Sequence, residues 1–190
     1  MAAKVPFTQS LRDEYDQLFS LAKIRPEHVF EVDAGVAKIN DPGNRAVYER
    51  LEAKTGVPWY VTGIIHGMEC NWSFRKHLHN GDPLTARTVR APSGRPEAGN
   101  PPFDFEVSAI DALTGQRSLS AASDWSIPGI CYMFESYNGF GYRLYHPHVK
   151  SPYLWSYTTI YSSGKYVADR KWSDTAVSRQ CGAIALLARL

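Results

Sequence analysis

Apolar positions Leu11, Tyr15, Leu18, Phe19 and Ala22 recur at helical spacing behind Thr8 and Ser10, both suited to cap a first turn, and Pro26 closes the segment. A second amphipathic stretch runs from Glu27 to Lys38 and stops before Asp41-Pro42-Gly43. A third carries Val47, Leu51 and Ala53 and stops at Gly56. Pro58 stands where a helix can begin, and Trp59 to Cys70 is almost free of charge until Glu69. That pattern predicts a buried central helix.

The pattern changes over residues 71–102. Asn80-Gly81-Asp82-Pro83 is strong turn chemistry, and Leu84 to Arg90 alternates like a short strand, so a small β-hairpin lobe is expected. Ala91 to Pro102, with four prolines and two glycines, reads as a loop rather than a linker, because too little chain surrounds it for two domains. Helical spacing returns in Asp104 to Leu113, Ser126 to Tyr137, Pro152 to Tyr161 and Asp174 to Leu187, with Gly115, Gly139 and Gly164 as stop signals. The expectation is an α+β, mainly α chain forming one domain over residues 1–190.

Bulk properties narrow the function classes. The 190 residues are 44% hydrophobic and 21% charged, ordinary globular composition that needs no metal or disulfide to fold. Cys70, Cys131 and Cys181 are odd in number and unpaired in spacing, so they read as buried thiols of a reducing compartment. The stretch Met1 to Asp16 lacks the apolar core of a secretory leader, which points to synthesis in the cytoplasm. No apolar run approaches the ~20 residues that span a bilayer. A net charge of +2 spread over scattered lysines and arginines argues against nucleic acid while remaining compatible with an anionic polymer.

Glu69 is the most informative single residue. Ile65 and Trp72 share its helical face, so desolvation favours its protonated carboxyl, the form that donates to a glycosidic oxygen. The competing reading is a helix-end glutamate that reaches water or pairs with Arg75. Asp82, in the turn-rich segment, with Thr85 and Thr88 following, supplies the second carboxylate of a two-carboxylate glycosidase; the competing reading is an Asp required by the turn itself. His66, His77, His79 and Asp82 invite comparison with a metal site, but they lack a recognised ligand spacing, so no metal is expected and the histidines are assigned to polar or substrate contacts. The aromatic series from Tyr132 through Tyr137, Tyr142, Tyr145, Tyr153, Trp155, Tyr157 and Tyr161 mixes core packing with a few rings fit to line a sugar cleft.

These residues carry a resemblance. The run Gly63-Ile64-Ile65-His66-Gly67-Met68-Glu69-Cys70 resembles the helix-to-acid motif of lysozyme-superfamily enzymes. Glu135-Ser136-Tyr137-Asn138-Gly139-Phe140-Gly141 is similar to the Ala-Tyr-Asn-Ala-Gly stretch of soluble lytic transglycosylases and goose-type lysozymes. The runs from His77 to Leu84 and from Ser151 to Trp155 look like those of phage and bacterial peptidoglycan hydrolases. The sequence departs from the transglycosylase pattern at Cys70, where serine normally follows the glutamate, and it has no Gly-Leu-Met-Gln run.

The resemblance implies a lysozyme-like fold with a small β-hairpin lobe and a monomeric, cofactor-free muramidase acting on bacterial peptidoglycan. In that reading Glu69 is the acid and Tyr137 and Asn138 contact substrate; the resemblance does not fix Asp82, which the residue pattern, with Thr85 or Thr88, assigns to holding the water or stabilising the oxocarbenium-like state, and Thr88 and His79 are assigned to substrate contacts. Glu135 is the next acid candidate, read as a cleft-wall or buried pairing residue. Access to the wall is expected through a pore-forming partner. A lytic transglycosylase, a chitinase or chitosanase on the same fold, and a non-catalytic glycan-binding module are the alternatives.

Overall fold

The computed structural model describes residues 5–115, 119–122, 124–168 and 171–190, so the first four residues of the stretch read for a leader lie outside it. In chain order the helices are α1 (Gln9–Leu21), α2 (Val29–Asn40), α3 (Pro42–Thr55), α4 (Trp59–Cys70), α5 (Phe105–Thr114), α6 (Ile127–Asn138), α7 (Gly141–Tyr145) and α8 (Pro152–Trp155). Strands β1 (Lys165–Ala168) and β2 (Lys171–Ser173) follow, then α9 (Ala183–Leu187). Among the described residues the chain is mainly helical with one small antiparallel sheet. It divides into two compact units, Met1–Val36 with Asp124–Leu190, and Ala37–Ser123.

The caps explain the boundaries of the longer helices. Thr8 accepts a hydrogen bond from the Leu11 N–H at the start of α1, Asp41 accepts from Asn44 before α3, Asp104 from Glu106 and Val107 before α5, and Ser126 from Gly129 before α6. Gly56 ends α3 at φ 73°, where glycine avoids the Cβ clash other residues suffer.

In the unit Ala37–Ser123, α3 packs against α4 and α5. Ile39, Tyr48, Leu51, Val61, Ile64 and Ile65 are fully buried, each such side chain worth roughly 1.5–3 kcal/mol of transfer free energy. Gly63 lets α4 approach closely, since a Cβ there would lie 2.9 Å from Ile39 and 3.1 Å from Tyr48. In the other unit α1 and α8 pack on α6, and α9 packs on α8, around Tyr15, Phe134, Tyr137, Leu154, Trp155 and Ile184.

Three expectations are corrected. Leu84 to Arg90 forms no strand, and the isolated bridge between Lys76 and Pro83 stops just before it. The backbone there bonds to side chains instead: Asp82 takes the N–H groups of Val89 and Arg90, and Thr88 takes that of Arg95, which leaves Val89 81% exposed. The small hairpin lies at Lys165–Ser173, pairing Tyr166 with Trp172 across strands too short to show a period. Neither Pro152 to Tyr161 nor Asp174 to Leu187 is helical throughout. The first stops at Trp155, before Tyr157 takes φ 68°. Of the second, Ala183–Leu187 alone is helical, because Gly164 bonds to Ala176 and Ser178 to the Tyr161 hydroxyl.

Candidate functional site

Helix α4 places Glu69 one residue from its C-terminus, half-buried, with Met68 and Cys70 buried on either side. Its other titratable side chains are held neutral. His66 Nδ1 shares a 2.9 Å hydrogen bond with the Tyr48 hydroxyl, and burial holds the imidazole down to about 4. Cys70 Sγ donates to the His77 carbonyl at 3.3 Å, and burial, helped by the neighbouring Glu69 charge, pushes the thiol up to about 12. A thiol kept protonated is a poor nucleophile.

The helix stops at Asn71 and Trp72, with φ 50° and 56°. The Trp72 indole folds back over Gly67, where a Cβ would stand 2.4 Å from it, and Lys38 Nζ lies 5.0 Å from the indole centroid. Gly81, at φ 74°, seats the turn before Asp82 on the end of α4: a Cβ there would be 2.3 Å from the Glu69 carbonyl oxygen. No residue but glycine combines that φ with that approach.

Asp82 is buried and densely bonded. Its Oδ2 accepts from the Val89 and Arg90 N–H groups at 2.8 and 3.0 Å, and its Oδ1 accepts from Arg90 Nε at 2.7 Å. Burial alone would raise its pKa; these backbone and guanidinium donors outweigh it and hold the carboxylate ionised below the usual range. Thr88 is equally committed, donating to the Pro92 carbonyl at 2.6 Å and accepting from the Arg95 N–H at 2.9 Å. Thr85 is exposed. His79 Nε2 donates to Asp111 Oδ2 at 2.8 Å, beside an Arg95–Asp111 ion pair at 2.6 Å; burial lowers the histidine's pKa and Asp111 opposes it. Glu69, His79, Asp82, Thr85 and Thr88 thus fall in one unit.

The three histidines and Asp82 do not converge. His77 bonds to the Ser108 hydroxyl and the Ala86 carbonyl, His79 to Asp111 and His66 to the Tyr48 hydroxyl, so each imidazole has its own partner even though the His77 and His79 rings lie 5.9 Å apart. Among the described residues no group of three or more histidine, cysteine or carboxylate side chains is placed to hold a metal ion.

Tyr137 and Asn138 fall in the other unit, at the end of α6. Tyr137 is buried in the core, whereas Asn138 is exposed and lines a cavity of about 120 Å³ with Tyr142, Tyr153, Lys165, Ser178 and Gln180. Glu135, on the same helix, is a buried pairing residue. Arg143 donates to it through Nε and Nη2, the latter at 2.9 Å, and the Tyr15 hydroxyl donates as well. Arg143 Nη1 continues to Glu14 at 2.9 Å, and Glu14 accepts from Lys150 at 2.7 Å. Burial disfavours the charged form of Glu14, yet Lys150 and Arg143 prevail and lower its pKa. Sequence reading missed Tyr15, Glu14, Arg143 and Lys150 because no local pattern ties α1 to the residues that follow α6.

Compared with models of known protein families, with curated proteins and with solved structures, the chain matches none.

Proposed function

We propose that the chain is a peptidoglycan hydrolase of lysozyme-like fold that cleaves the β-1,4 bond between N-acetylmuramic acid and N-acetylglucosamine, with Glu69 as general acid. The observation that carries the reading is the placement of Glu69. It is the sole carboxylate of an apolar helix, at the end where that helix meets the turn bearing Asp82. In this mechanism Glu69 gives its proton to the leaving glycosidic oxygen. Asp82, held ionised by Arg90 and two N–H groups, supplies fixed negative charge to the oxocarbenium-like state, and Thr85 orients the water. Thr88 and His79 support the loop and its approach to Asp111. No cofactor takes part, and the protein acts as a monomer that reaches the wall through a pore-forming partner.

One observation favours a second reading. The Asp82 carboxylate already accepts from three donors, which leaves little room for activating a water. A lytic transglycosylase needs a single glutamate, acting first as acid and then as base while the substrate's own hydroxyl attacks. Mass analysis of the fragments released from purified peptidoglycan separates the two, since hydrolysis leaves saturated reducing ends and transglycosylation leaves anhydro ends. Release of neither product by the wild type would overturn both.

A further inference from the structure

Tyr157 has a backbone conformation that bulky side chains avoid, φ 68°, and strain of this kind persists where the surroundings hold it in place. Here they do so from both ends. The Arg25 N–H donates to the Tyr157 carbonyl at 2.9 Å, and the Tyr157 hydroxyl donates to the Arg179 carbonyl at 2.7 Å. The ring so fixed stacks on His28, with centroids 3.7 Å apart and planes 6° from parallel, and the pair lines a cavity of about 290 Å³. That volume lies near the lower end of the roughly 300–1,000 Å³ of small-molecule sites.

The rest of the wall sets the chemistry. Arg25 is committed to shaping it, donating from Nε to the Thr158 carbonyl at 3.1 Å and from Nη2 to the Tyr161 carbonyl at 2.9 Å, and Glu27 offsets its charge. This cavity therefore offers no excess of positive charge to a phosphate or a polyanion, and Lys165, on the wall that Asn138 shares, adds a single cation farther along. Ser178, positioned by the Tyr161 hydroxyl at 3.1 Å, lines this cavity and also the one that contains Asn138, Tyr142 and Gln180. The two cavities adjoin at that residue. Flat aromatic faces at one end, amides able both to donate and to accept at the other, and hydroxyls between them match a neutral, polyhydroxylated ligand.

We propose that this groove, from the His28–Tyr157 stack past Ser178 to Asn138 and Gln180, binds a neutral oligosaccharide. That the ligand is a sugar rests on the lining; that it is a wall glycan rests on the function proposed above.

The test is calorimetric titration of the Glu69→Gln protein, which leaves the probe uncleaved, with the tetramer of β-1,4-linked N-acetylglucosamine. Saturable binding is expected. Tyr157→Gly should weaken it at least tenfold while the melting temperature stays level or rises, because glycine adopts φ 68° without strain, and Tyr157→Phe should bind like the parent. If the glycine variant is less stable, His28→Ala removes half of the stack without touching that backbone and should show the same loss of binding. No binding by the parent, or undiminished binding in both Tyr157→Gly and His28→Ala, overturns the proposal. Tetramer binding that depends on Tyr157, with no cleavage of peptidoglycan by the wild type, leaves the groove standing and removes the role of Glu69. Cleavage without tetramer binding does the reverse.

Discussion

Helices α4 and α6 are near relatives in composition. Each has twelve residues, each starts at or beside a proline, and each carries one glutamate and one buried cysteine within an apolar run. Their glutamates have opposite circumstances. Glu135 is 4% exposed and enclosed by the Arg143 guanidinium and the Tyr15 hydroxyl, both of which donate to it. Glu69 stands two residues nearer its helix end and is half-buried, where the chain reverses through two left-handed residues. An apolar helix alone therefore does not make an acid. At α6 a distant cation, Arg143, reaches the carboxylate from beyond the helix.

The largest expected effects set these glutamates against each other. Glu69→Gln should lower peptidoglycan cleavage by about 10²–10⁴-fold, the usual loss of a general acid, with an unchanged melting temperature. Glu135→Gln should do the opposite. It leaves Arg143 largely buried and short of a partner, a change that costs roughly 3–5 kcal/mol in buried ion pairs, read as a lower denaturation midpoint. Activity should fall no further than the folded fraction does. A Glu69 variant that loses stability in step with activity, or a stable and inactive Glu135 variant, would exchange the two roles.

Acid should separate the two regions next. Burial holds the folded His66 imidazole down to about 4, below the ordinary 6.5 of a free histidine, so the unfolded chain binds the extra proton between those values. The stability it contributes is complete above pH 6.5 and is lost as pH falls toward 4, amounting to about 3 kcal/mol at most. Glu14, lowered from 4.5, contributes stability that is lost only below that value. Denaturant midpoints at pH 7.5 and 5 should therefore differ in the wild type and lie closer together in His66→Gln, the remainder coming from His79, whose pKa burial also lowers, with the Arg143 network intact at both. An equal pH dependence in the variant would remove His66 as its source.

How far the sequence reveals these regions follows from the range of the interactions involved. The helices through α6 are legible because Thr8, Asp41, Gly56, Asp104 and Ser126 act within a turn of where they stand. The place of Glu69 at the end of an apolar helix is legible for the same reason, but Trp72, expected on its helical face, is not, because the helix ends at Cys70 and the indole turns over Gly67. The supposed strand at Leu84 to Arg90 misleads because alternation says nothing of Asp82 and Thr88 capturing the backbone. Past residue 152 the contacts become long-range, as in the Gly182 backbone lying against Leu154 and Ser156, and helical spacing loses its meaning. The ion network of Glu135 is hidden likewise, since Tyr15 and Glu14 reach it from the first helix.

A smaller effect tests the turn that gives α4 its setting. Gly81→Ala places a Cβ where the Glu69 carbonyl oxygen lies 2.3 Å away, on a φ of 74°. The turn must lift from the helix end at a cost of roughly 1–3 kcal/mol. Cleavage should drop more than stability alone explains, because the Asp82 loop moves relative to Glu69. Unaltered activity in a destabilised Gly81→Ala protein would show that the loop serves the fold and not the chemistry.

The smallest stability change is expected at Asn138, which adjoins Tyr137 at the end of α6 but is differently placed. Tyr137 is buried, and its truncation to alanine should cost the roughly 3–5 kcal/mol seen for large aromatic residues, so any loss of activity follows from unfolding. Asn138 is exposed on the cavity wall with Gln180 and Tyr142, and surface changes of this kind stay within about 0.5 kcal/mol. If that wall holds glycan, Asn138→Ala should raise KM for peptidoglycan with the melting temperature unmoved. A KM equal to the wild type's would confine the resemblance at Tyr137-Asn138 to packing, and α6 would then be structural along its whole length while α4 alone carried the chemistry.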